Sequence, residues 1–238
     1  MIHDSISFIV PCYNEELKIK STLNTILDTI AKNNFFKYQI IFIDDCSKDK
    51  SYEILLSLKK HNKNIIITKN SYNKGFGGSF LQGLNFAEMK YCMLLPGDNA
   101  HLEKDISLMI KKIKNNDFVI TYYTNSKDRI YSRYLFTRIY TPFLNLIYGT
   151  KIPYFNGINI YRTSILKKLD IKNTSFSFQI EIILNFLFLK KKYTIVPTFL
   201  NEDKKKHSIS KAFSLKNIFL VSKEIIKLFI KFRLLKRL

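Results

Sequence analysis

Three short polar clusters stand directly after apolar runs in the first hundred residues. They are residues 13–15, the pair Asp44 and Asp45, and residues 97–99. Each apolar run has the length of a β-strand, and the carboxyl ends of parallel strands share one edge of a sheet. Carboxylates gathered there can bind a base, sugar hydroxyls or a divalent cation. Asp, Asn and Gly also form ordinary turns, which is the simpler interpretation of any one cluster alone.

The pair Asp44 and Asp45 and a glycine-rich segment carry the more specific signals. Adjacent carboxylates repel each other unless a base, a sugar hydroxyl or a cation neutralises them. The segment KNSYNKGFGGSF opens an expected helix, where glycines let backbone N–H groups approach an anion and Lys74 adds a positive charge. Its spacing is neither GxGxxG nor GxxxxGK[ST]. This disfavours a dinucleotide-binding fold and a P-loop NTPase.

Strands and helices alternate along this part of the chain. Strands are predicted over ISFIVPCY, residues 39–43, NIIITKN and YCMLLPGDN. Helices are predicted after Asn14, which would cap the first of them, after the polar loop 44–50, and over SFLQGLNFAEM. The βαβ spacing predicts a mostly parallel sheet with helices on its faces.

Composition excludes several classes of protein. The chain has 238 residues, and its 20 Phe and 14 Tyr supply a core, while 7 Gly and 5 Pro exclude collagen-like and low-complexity chains. The longest uncharged runs are too short to span a bilayer, and the N-terminus has no signal-peptide pattern. Three cysteines without metal-ligand spacing are typical of reduced thiols. We therefore expect a cytoplasmic protein.

Charge divides the chain into two parts. Residues 1–100 carry 12 basic and 10 acidic side chains, and residues 101–238 carry 27 and 9, so almost all of the net charge of +20 falls on the second part. Basic residues interleaved with aromatics over residues 127–168 also occur in nucleic-acid binders. No RRM, KH, helix-turn-helix or zinc-finger pattern accompanies them, so no nucleic-acid partner is expected. The two parts should meet different partners.

Taken in order, these segments resemble glycosyltransferase family 2, the inverting enzymes with a GT-A fold. The resemblance is carried by FIVPCYNEE, IIFIDDCSKDKSYE, NKGFGGSFLQGL and YCMLLPGDNAHLEKDI, and it is dense from residue 5 to about residue 120. SRYLFTRIYTPFLNLIYG and IPYFNGINIYRTSIL resemble the branch that charges polyprenyl phosphates, the dolichyl-phosphate mannose synthase-like enzymes. The resemblance implies an α/β GT-A fold, with a mainly parallel mixed sheet flanked by helices, and a UDP- or GDP-sugar donor.

The resemblance also implies roles for particular residues. Those implied to bind the donor are Pro11, Tyr13, Glu15, Asp44, Asp45, Lys74, Gly75 and Asp98. Asp98 is in addition the implied catalytic carboxylate linked to Mg²⁺ or Mn²⁺. The chain departs from the DxD pattern there, because Pro96 replaces the first Asp and Ala100 stands where a Gln is frequent. One carboxylate can still hold a cation together with diphosphate oxygens and water, and Asn99 or His101 could complete the shell.

The second part offers candidates for the acceptor side. Glu181, in FQIEIILNFLFL, is the candidate catalytic base, which a hydroxyl acceptor requires and an already ionised lipid phosphate does not. A paired structural role for Glu181 is the open alternative. Arg133 and Lys211 are candidates for binding the diphosphate or the acceptor. In this family the neighbourhood of Lys211 can close over the diphosphate, although an ordinary exposed basic loop is the alternative.

The last part of the chain is strongly basic. Residues 204–238 contain eleven basic side chains and one acidic side chain, Glu224. On a helix the basic side would hold Lys223, Lys227 and Lys231, and the apolar side Ile218, Ile225, Phe229 and Phe232. This pattern predicts a helix at the surface of an anionic membrane leaflet. The alternative is a helix packed on the domain with a solvated basic face.

The sequence therefore predicts one GT-A catalytic domain over residues 1–214 and a basic amphipathic helix over residues 215–238. Within the domain, residues 1–100 form the nucleotide-sugar half and residues 101–214 the acceptor half. The predicted function is sugar transfer, with inversion, to a lipid-linked acceptor, either polyprenyl phosphate or a growing surface glycan, by a peripheral protein on the inner face of the cytoplasmic membrane. The alternatives are transfer to a soluble glycan or a protein hydroxyl, and a nucleotide-sugar-binding protein without turnover.

Overall fold

The computed structural model describes residues 5–33, 37–125, 131–175, 177–200 and 215–234, without the side chains of residues 131–133, 136 and 215–219. The strands are β1 Ile6–Cys12, β2 Tyr38–Asp44, β3 Ile65–Lys69, β4 Tyr91–Leu94, β5 Phe118–Tyr123, β6 Ile160–Arg162 and β7 Tyr193–Thr198. The helices are α1 Ile19–Asn33, α2 Ser51–His61, α3 Gly75–Phe86, α4 Glu103–Ile113, α5 Tyr131–Tyr148, α6 Thr163–Leu166, α7 Phe178–Phe188 and α8 Leu215–Phe229, and a π-helical turn, Ile230–Leu234, continues α8.

The strands form one sheet in the order β3-β2-β1-β4-β6-β5-β7. Strand β6 runs antiparallel to both of its neighbours, and all other pairs are parallel. The register sets Cys12 beside Asp44, so β1 and β2 end at the same level. The predicted mainly parallel mixed sheet is confirmed, and it brings the polar strand ends to one edge.

Two apolar layers cover the two faces of the sheet. In β1, Phe8 and Val10 pack with α1 on one face, while Ile9 packs with Phe80 of α3 on the other. All seven residues of β1 are buried. A strand covered on both faces has no solvent side, which explains why the sequence shows a continuous apolar run rather than an alternating one.

Two helix starts differ from the prediction. Asn14 does not cap α1: it has a left-handed backbone conformation (φ 55°), and the helix begins only at Ile19. The reason is that Asn14 is tied to the loop after β2, since its side chain accepts a hydrogen bond from the Lys48 amide at 2.8 Å. Helix α3 begins at Gly75, four residues before the predicted segment, so the glycine-rich stretch is its first turn.

Helix α8 packs into the core of the second part of the chain. Ile225, Leu228 and Phe232 are buried with α5 and α7, and the Tyr148 hydroxyl donates a hydrogen bond to the Ile225 carbonyl at 2.9 Å. The Phe188 and Phe232 ring centroids lie 5.8 Å apart. The predicted membrane face is therefore wrong for Ile225 and Phe232, because the domain core already covers them.

Candidate functional site

The polar ends of β1, β2 and β4 open into one cleft of about 900 Å³. Its first wall comes from the loops after these strands and from the start of α3. Its second wall comes from residues 172–175 and from α8. The lining residues used below are Pro11, Tyr13, Glu15, Asp45, Lys74, Gly75, Gly77, Gly97, Asp98, Lys172, Leu220 and Glu224.

Hydrogen bonds join the loops after β1 and β2 to each other. The Asn14 amide donates to the Ser47 hydroxyl at 3.0 Å, and the Glu15 amide donates to the Ser51 hydroxyl at 2.8 Å. In the reverse direction, the Lys50 amide donates to the Glu16 carboxylate at 3.0 Å. Each loop thus satisfies polar groups of the other, which fixes the position of Tyr13 and Glu15 at the cleft.

Asp45 caps the N-terminus of α3. Its carboxylate accepts hydrogen bonds from the backbone amides of Lys74 at 2.8 Å and Gly75 at 2.9 Å, and from the Asn70 side chain at 2.7 Å. A carboxylate at a helix N-terminus interacts favourably with the helix dipole. The two amides predicted to approach an anion are therefore engaged by Asp45 itself. The Lys74 ammonium group, in turn, hydrogen-bonds to Gln82.

Asp44 does not line the cleft, and its predicted role in donor binding stays a prediction. Its side chain is fully buried, with one oxygen 4.0 Å from the Lys69 ammonium nitrogen and 3.4 Å from the Ser47 amide nitrogen. Among the residues that the structure describes, its second oxygen has no hydrogen-bond partner. Separate partners thus relieve the repulsion between the two adjacent carboxylates, and only Asp45 lines the cleft.

The loop after β4 holds Asp98 at the floor of the cleft. The Gly97 amide donates to the Pro11 carbonyl at 3.1 Å, and a Cβ atom at Gly97 would lie 2.6 Å from the Cys12 sulfur. One Asp98 oxygen accepts a hydrogen bond from the Ala100 amide at 3.1 Å. Asn99 has a left-handed backbone (φ 54°), and its side-chain oxygen accepts a hydrogen bond from Thr25. Because position 97 packs so closely against β1, only glycine fits there without displacing Cys12. Asp98, the next residue, faces the cleft.

Left-handed backbone recurs at all three strand ends around the cleft. Asn14 and Asn99 share it with Cys46, whose φ is 62°. Such conformations are uncommon outside glycine and occur often at functional sites, where surrounding contacts hold them.

Asp98 could bind a divalent cation whose other ligands come from the nucleotide diphosphate and from water. No group of three His, Cys, Asp or Glu side chains in the described parts of the chain has the geometry of a metal site. Asn99 is engaged with Thr25, and His101 is buried outside the cleft lining. A single carboxylate in an open cleft leaves the remaining positions around Mg²⁺ or Mn²⁺ to diphosphate oxygens and water, which is a usual arrangement for Mg²⁺.

His101 joins the two parts of the chain. It pairs with Leu200 in an isolated β-bridge and stacks on Tyr123, with ring centroids 6.1 Å apart. Burial lowers its pKa to about 4, although the charge of Asp98 acts in the opposite direction. The imidazole is therefore neutral at pH 7, and its position is that of a core residue.

Glu181 lies behind the second wall of the cleft. One carboxylate oxygen is 3.4 Å from the Lys231 ammonium nitrogen, and the other accepts a hydrogen bond from the Asn173 amide at 3.4 Å. Burial raises the pKa of Glu181, and the nearby Lys231 partly offsets this effect. The ion pair ties α7 to the π-helical turn that continues α8, which favours the paired structural role. A catalytic role for Glu181 stays a prediction.

Sequence reasoning missed the contribution of α8 to the cleft. Leu220 and Glu224 line it, and Glu224 forms an ion pair with Lys227 at 2.7 Å. The only signal was Glu224 as the one acidic residue in a basic tail. Lys211 lies outside the described residues, as does the side chain of Arg133, so their predicted roles stay predictions.

Comparison with known proteins places this site in context. The model of the family described as "Glycosyl transferase family 2" matches residues 7–170. A dolichyl-phosphate beta-glucosyltransferase of Dictyostelium discoideum is 34% identical over 124 residues, which cover 48% of this chain and 38% of the relative. The chain thus spans well under half of that relative's length.

A further relative and a solved structure extend the comparison. The UDP-Glc:alpha-D-GlcNAc-diphosphoundecaprenol beta-1,3-glucosyltransferase WfaP of Escherichia coli is 28% identical, with coverage of 73% of this chain and 64% of the relative. The mannosyltransferase PcManGT of Pyrobaculum calidifontis, solved with GDP-Man and Mn²⁺, superposes with a TM-score of 0.65 at 14% identity, over 87% of this chain and 59% of that one. The GT-A fold is thereby confirmed.

Proposed function

We propose that this chain, which belongs to glycosyl transferase family 2, transfers a sugar from a UDP- or GDP-sugar to a lipid-linked acceptor at the cytoplasmic face of a membrane, with inversion at the sugar carbon. The acceptor is polyprenyl phosphate or a growing lipid-linked glycan. The observation that carries the proposal is that both parts of the chain line the same cleft. In it, Asp98 and the fixed loops of the first part face residues 172–175 and α8 of the second part. Donor and acceptor can thus approach from opposite walls. This arrangement suits inversion, in which the acceptor attacks the sugar carbon on the face opposite the leaving diphosphate.

The first wall would hold the donor. Tyr13, Glu15 and Asp45 stand in loops whose hydrogen bonds fix them before a ligand arrives, which lowers the cost of ordering on binding. Asp98 would hold Mg²⁺ or Mn²⁺ beside the diphosphate. When bound, such a cation supplies positive charge that stabilises the leaving nucleoside diphosphate. The second wall adds the cation Lys172.

The position of Glu181 supports a phosphate acceptor. A hydroxyl acceptor needs a base within hydrogen-bond reach, whereas a phosphate is already ionised at neutral pH. Glu181 is paired with Lys231 and does not line the cleft, so its carboxylate does not face the reacting groups. The relative named for dolichyl phosphate is consistent with this choice. The relative named for GlcNAc-diphosphoundecaprenol forms a beta-1,3 bond, which joins a sugar hydroxyl, so it is consistent with a lipid-linked acceptor but not with a phosphate one.

Product analysis over a panel of donors tests the proposal. Purified protein is incubated with UDP- and GDP-sugars and polyprenyl phosphate, with and without Mn²⁺, and release of the nucleoside diphosphate is measured beside formation of the glycolipid. We expect one donor to give a metal-dependent lipid product that Asp98→Ala abolishes. Binding of the nucleotide without turnover of any donor would instead support the binding-protein alternative.

Transfer to a hydroxyl remains a second candidate because Glu224 does line the cleft. If a lipid-linked glycan, a soluble glycan or a protein hydroxyl is the acceptor, Glu224 has the position of a base. Glu224→Gln should then lower kcat by at least about 100-fold, the usual contribution of general base catalysis, while Glu181→Gln should not. With a phosphate acceptor, Glu224→Gln should leave kcat within a few-fold of the unchanged chain.

A further inference from the structure

Helix α5 has apolar residues on its outward face as well as on its inner one. Its inner face is buried through Thr141, Leu144 and Tyr148. Outward, the exposed fractions are 45% for Leu135, 66% for Ile139, 50% for Phe143 and 81% for Leu146. Spacings of four, four and three residues put these four side chains on one side of the helix. An ordinary surface helix would carry polar residues there.

Helix α8 and its π-helical continuation repeat this arrangement. Ile225, Leu228 and Phe232 are buried, whereas Ile226, Ile230 and Leu234 are exposed at spacings of four. The two helices are in contact, since Tyr148 hydrogen-bonds to the Ile225 carbonyl and a Cβ atom at Gly149 would lie 3.2 Å from the Arg233 guanidinium. Single exposed apolar residues are normal, but rows of large ones on two helices in contact mark an interaction surface.

The charges around these rows indicate the partner. Exposed cations accompany them on both helices, at Arg138, Lys223, Lys227 and Arg233. Helix α5 contains no acidic residue, and the one acidic residue of α8, Glu224, lies at the cleft and is paired with Lys227. Apolar side chains bordered by Lys and Arg suit the surface of a bilayer with anionic headgroups. Two copies of this surface would repel each other.

We propose that the outward faces of α5 and α8 form a docking surface for an anionic lipid bilayer. The acceptor named under the proposed function is a lipid, so the inference rests on that function and gives it a surface. Among the residues that the structure describes, no helix is both long and apolar enough to cross a membrane. The proposed attachment is through the outward faces of these two helices at the bilayer surface. The same helix α8 lines the cleft through Leu220 and Glu224, so docking brings the cleft beside the headgroups.

Vesicle co-sedimentation of the full chain tests the surface without the reaction. The vesicles are phosphatidylglycerol mixed with phosphatidylcholine, and phosphatidylcholine alone. Two double variants remove the apolar rows, Ile139→Gln/Leu146→Gln on α5 and Ile226→Gln/Ile230→Gln on α8. The control is Leu56→Gln/Phe86→Gln, two exposed apolar residues of the first part, at 42% and 41%. Thermal unfolding and UDP or GDP binding verify that each protein is folded.

Each row variant should bind the anionic vesicles about tenfold or more weakly than the unchanged chain, because two large apolar side chains no longer leave water. The control should bind as the unchanged chain does, and high salt should weaken its attachment. Unchanged binding of both folded row variants, or equal binding to neutral vesicles, would overturn the proposal. So would a dimer in sedimentation velocity that the row variants dissociate, since a second copy would then be the occupant.

The two proposals fail in different ways. If the proposed function is wrong, no donor gives a lipid product while vesicle binding stays sensitive to the row variants. If the docking surface is wrong, vesicle binding is insensitive to them while turnover of a short-chain polyprenyl phosphate in detergent persists.

Discussion

The two walls of the cleft are built by different physical means. In the first wall, hydrogen bonds between backbone and side chains fix the loops: Glu15 to Ser51, Asp45 to the start of α3, and Gly97 to Pro11. In the second wall, apolar packing of α8 on α5 and α7, with the Glu181–Lys231 ion pair, sets the position. Polar contacts specify geometry closely, which suits recognition of one nucleotide. A helix that packs on the core and exposes apolar side chains suits contact with a bilayer, which presents no fixed arrangement of polar groups.

Phe232 gives the largest expected effect in a test of how the second wall is held. If α8 is part of the domain core, Phe232→Ala should lower the free energy of unfolding by about 3 to 5 kcal/mol, the usual cost of removing a buried aromatic ring. Leu234→Ala, two residues on and 65% exposed, should change it by less than about 0.5 kcal/mol. Urea unfolding measures both. Equal small effects would mean that α8 is an appendage outside the domain core.

His101 sharpens the comparison because it follows the Asp98 loop of the first wall and contacts Leu200 and Tyr123 in the second part of the chain. Burial lowers its pKa from 6.5 to about 4, so the folded protein resists protonation more than the unfolded chain does. The group therefore makes no contribution to stability above about pH 6.5, and it lowers the stability of the folded protein as the pH falls from 6.5 towards 4, by about 3 kcal/mol in all. His101→Phe, which keeps a ring beside Tyr123, should lose less stability than the unchanged chain between pH 7 and pH 4.5. Parallel losses would contradict the buried, neutral imidazole.

Within the first wall, Asp45 is expected to act mainly on stability, and Asp98 mainly on the response to the metal ion. Asp45→Ala removes a helix cap and three hydrogen bonds and should cost about 2 kcal/mol of stability, together with weaker binding of the nucleoside diphosphate. Asp98→Ala loses one bond, to the Ala100 amide, and should cost about 1 kcal/mol or less while abolishing the response to Mn²⁺. Calorimetric titration with UDP or GDP, with and without Mn²⁺, distinguishes the two. An unchanged metal response in Asp98→Ala would refute the assignment.

Gly77 tests the contact between the two walls. A Cβ atom there would lie 2.7 Å from the Thr174 carbonyl oxygen and 2.9 Å from the Phe178 ring, so Gly77→Ala must displace residues 174–178 and should cost about 1 to 3 kcal/mol. Gly75→Ala meets open space but has φ +75°, and should cost about 1 kcal/mol through backbone strain alone. Only Gly77→Ala should alter acceptor kinetics. Equal acceptor KM values for both variants would show that the second wall does not depend on α3.

The sequence predicted the sheet and the strand ends well because apolar runs and turn residues are local signals. Asp98 faces the cleft, and Asp45 lines it, as the strand-end pattern predicts. Their partners could not be predicted: the Asp45 cap depends on how α3 approaches β2, and the burial of Asp44 depends on Lys69 of β3. These are contacts between elements, which periodicity along one segment does not encode.

The second wall was predicted less well for the same reason. A basic amphipathic pattern such as that of α8 fits a membrane helix and a packed helix equally. Only the fold shows that Ile225 and Phe232 face the core while Ile226 and Ile230 stay exposed. Glu181, polar in an apolar helix, resembles a catalytic carboxylate in sequence, but its partner Lys231 lies fifty positions away. Long-range ion pairs of this kind leave no local signature.

The central claim is that the two walls bring a nucleotide sugar and a lipid phosphate together. The most direct measurement is a competition between the two acceptors. The protein receives polyprenyl phosphate in anionic vesicles and a soluble glycan in the surrounding solution, together with Mn²⁺ and the donor identified from the panel. Mass spectrometry then shows which acceptor carries the sugar. The account predicts a polyprenyl phosphate carrying one sugar, absent with Asp98→Ala. A glycosylated soluble acceptor with unmodified lipid would contradict it.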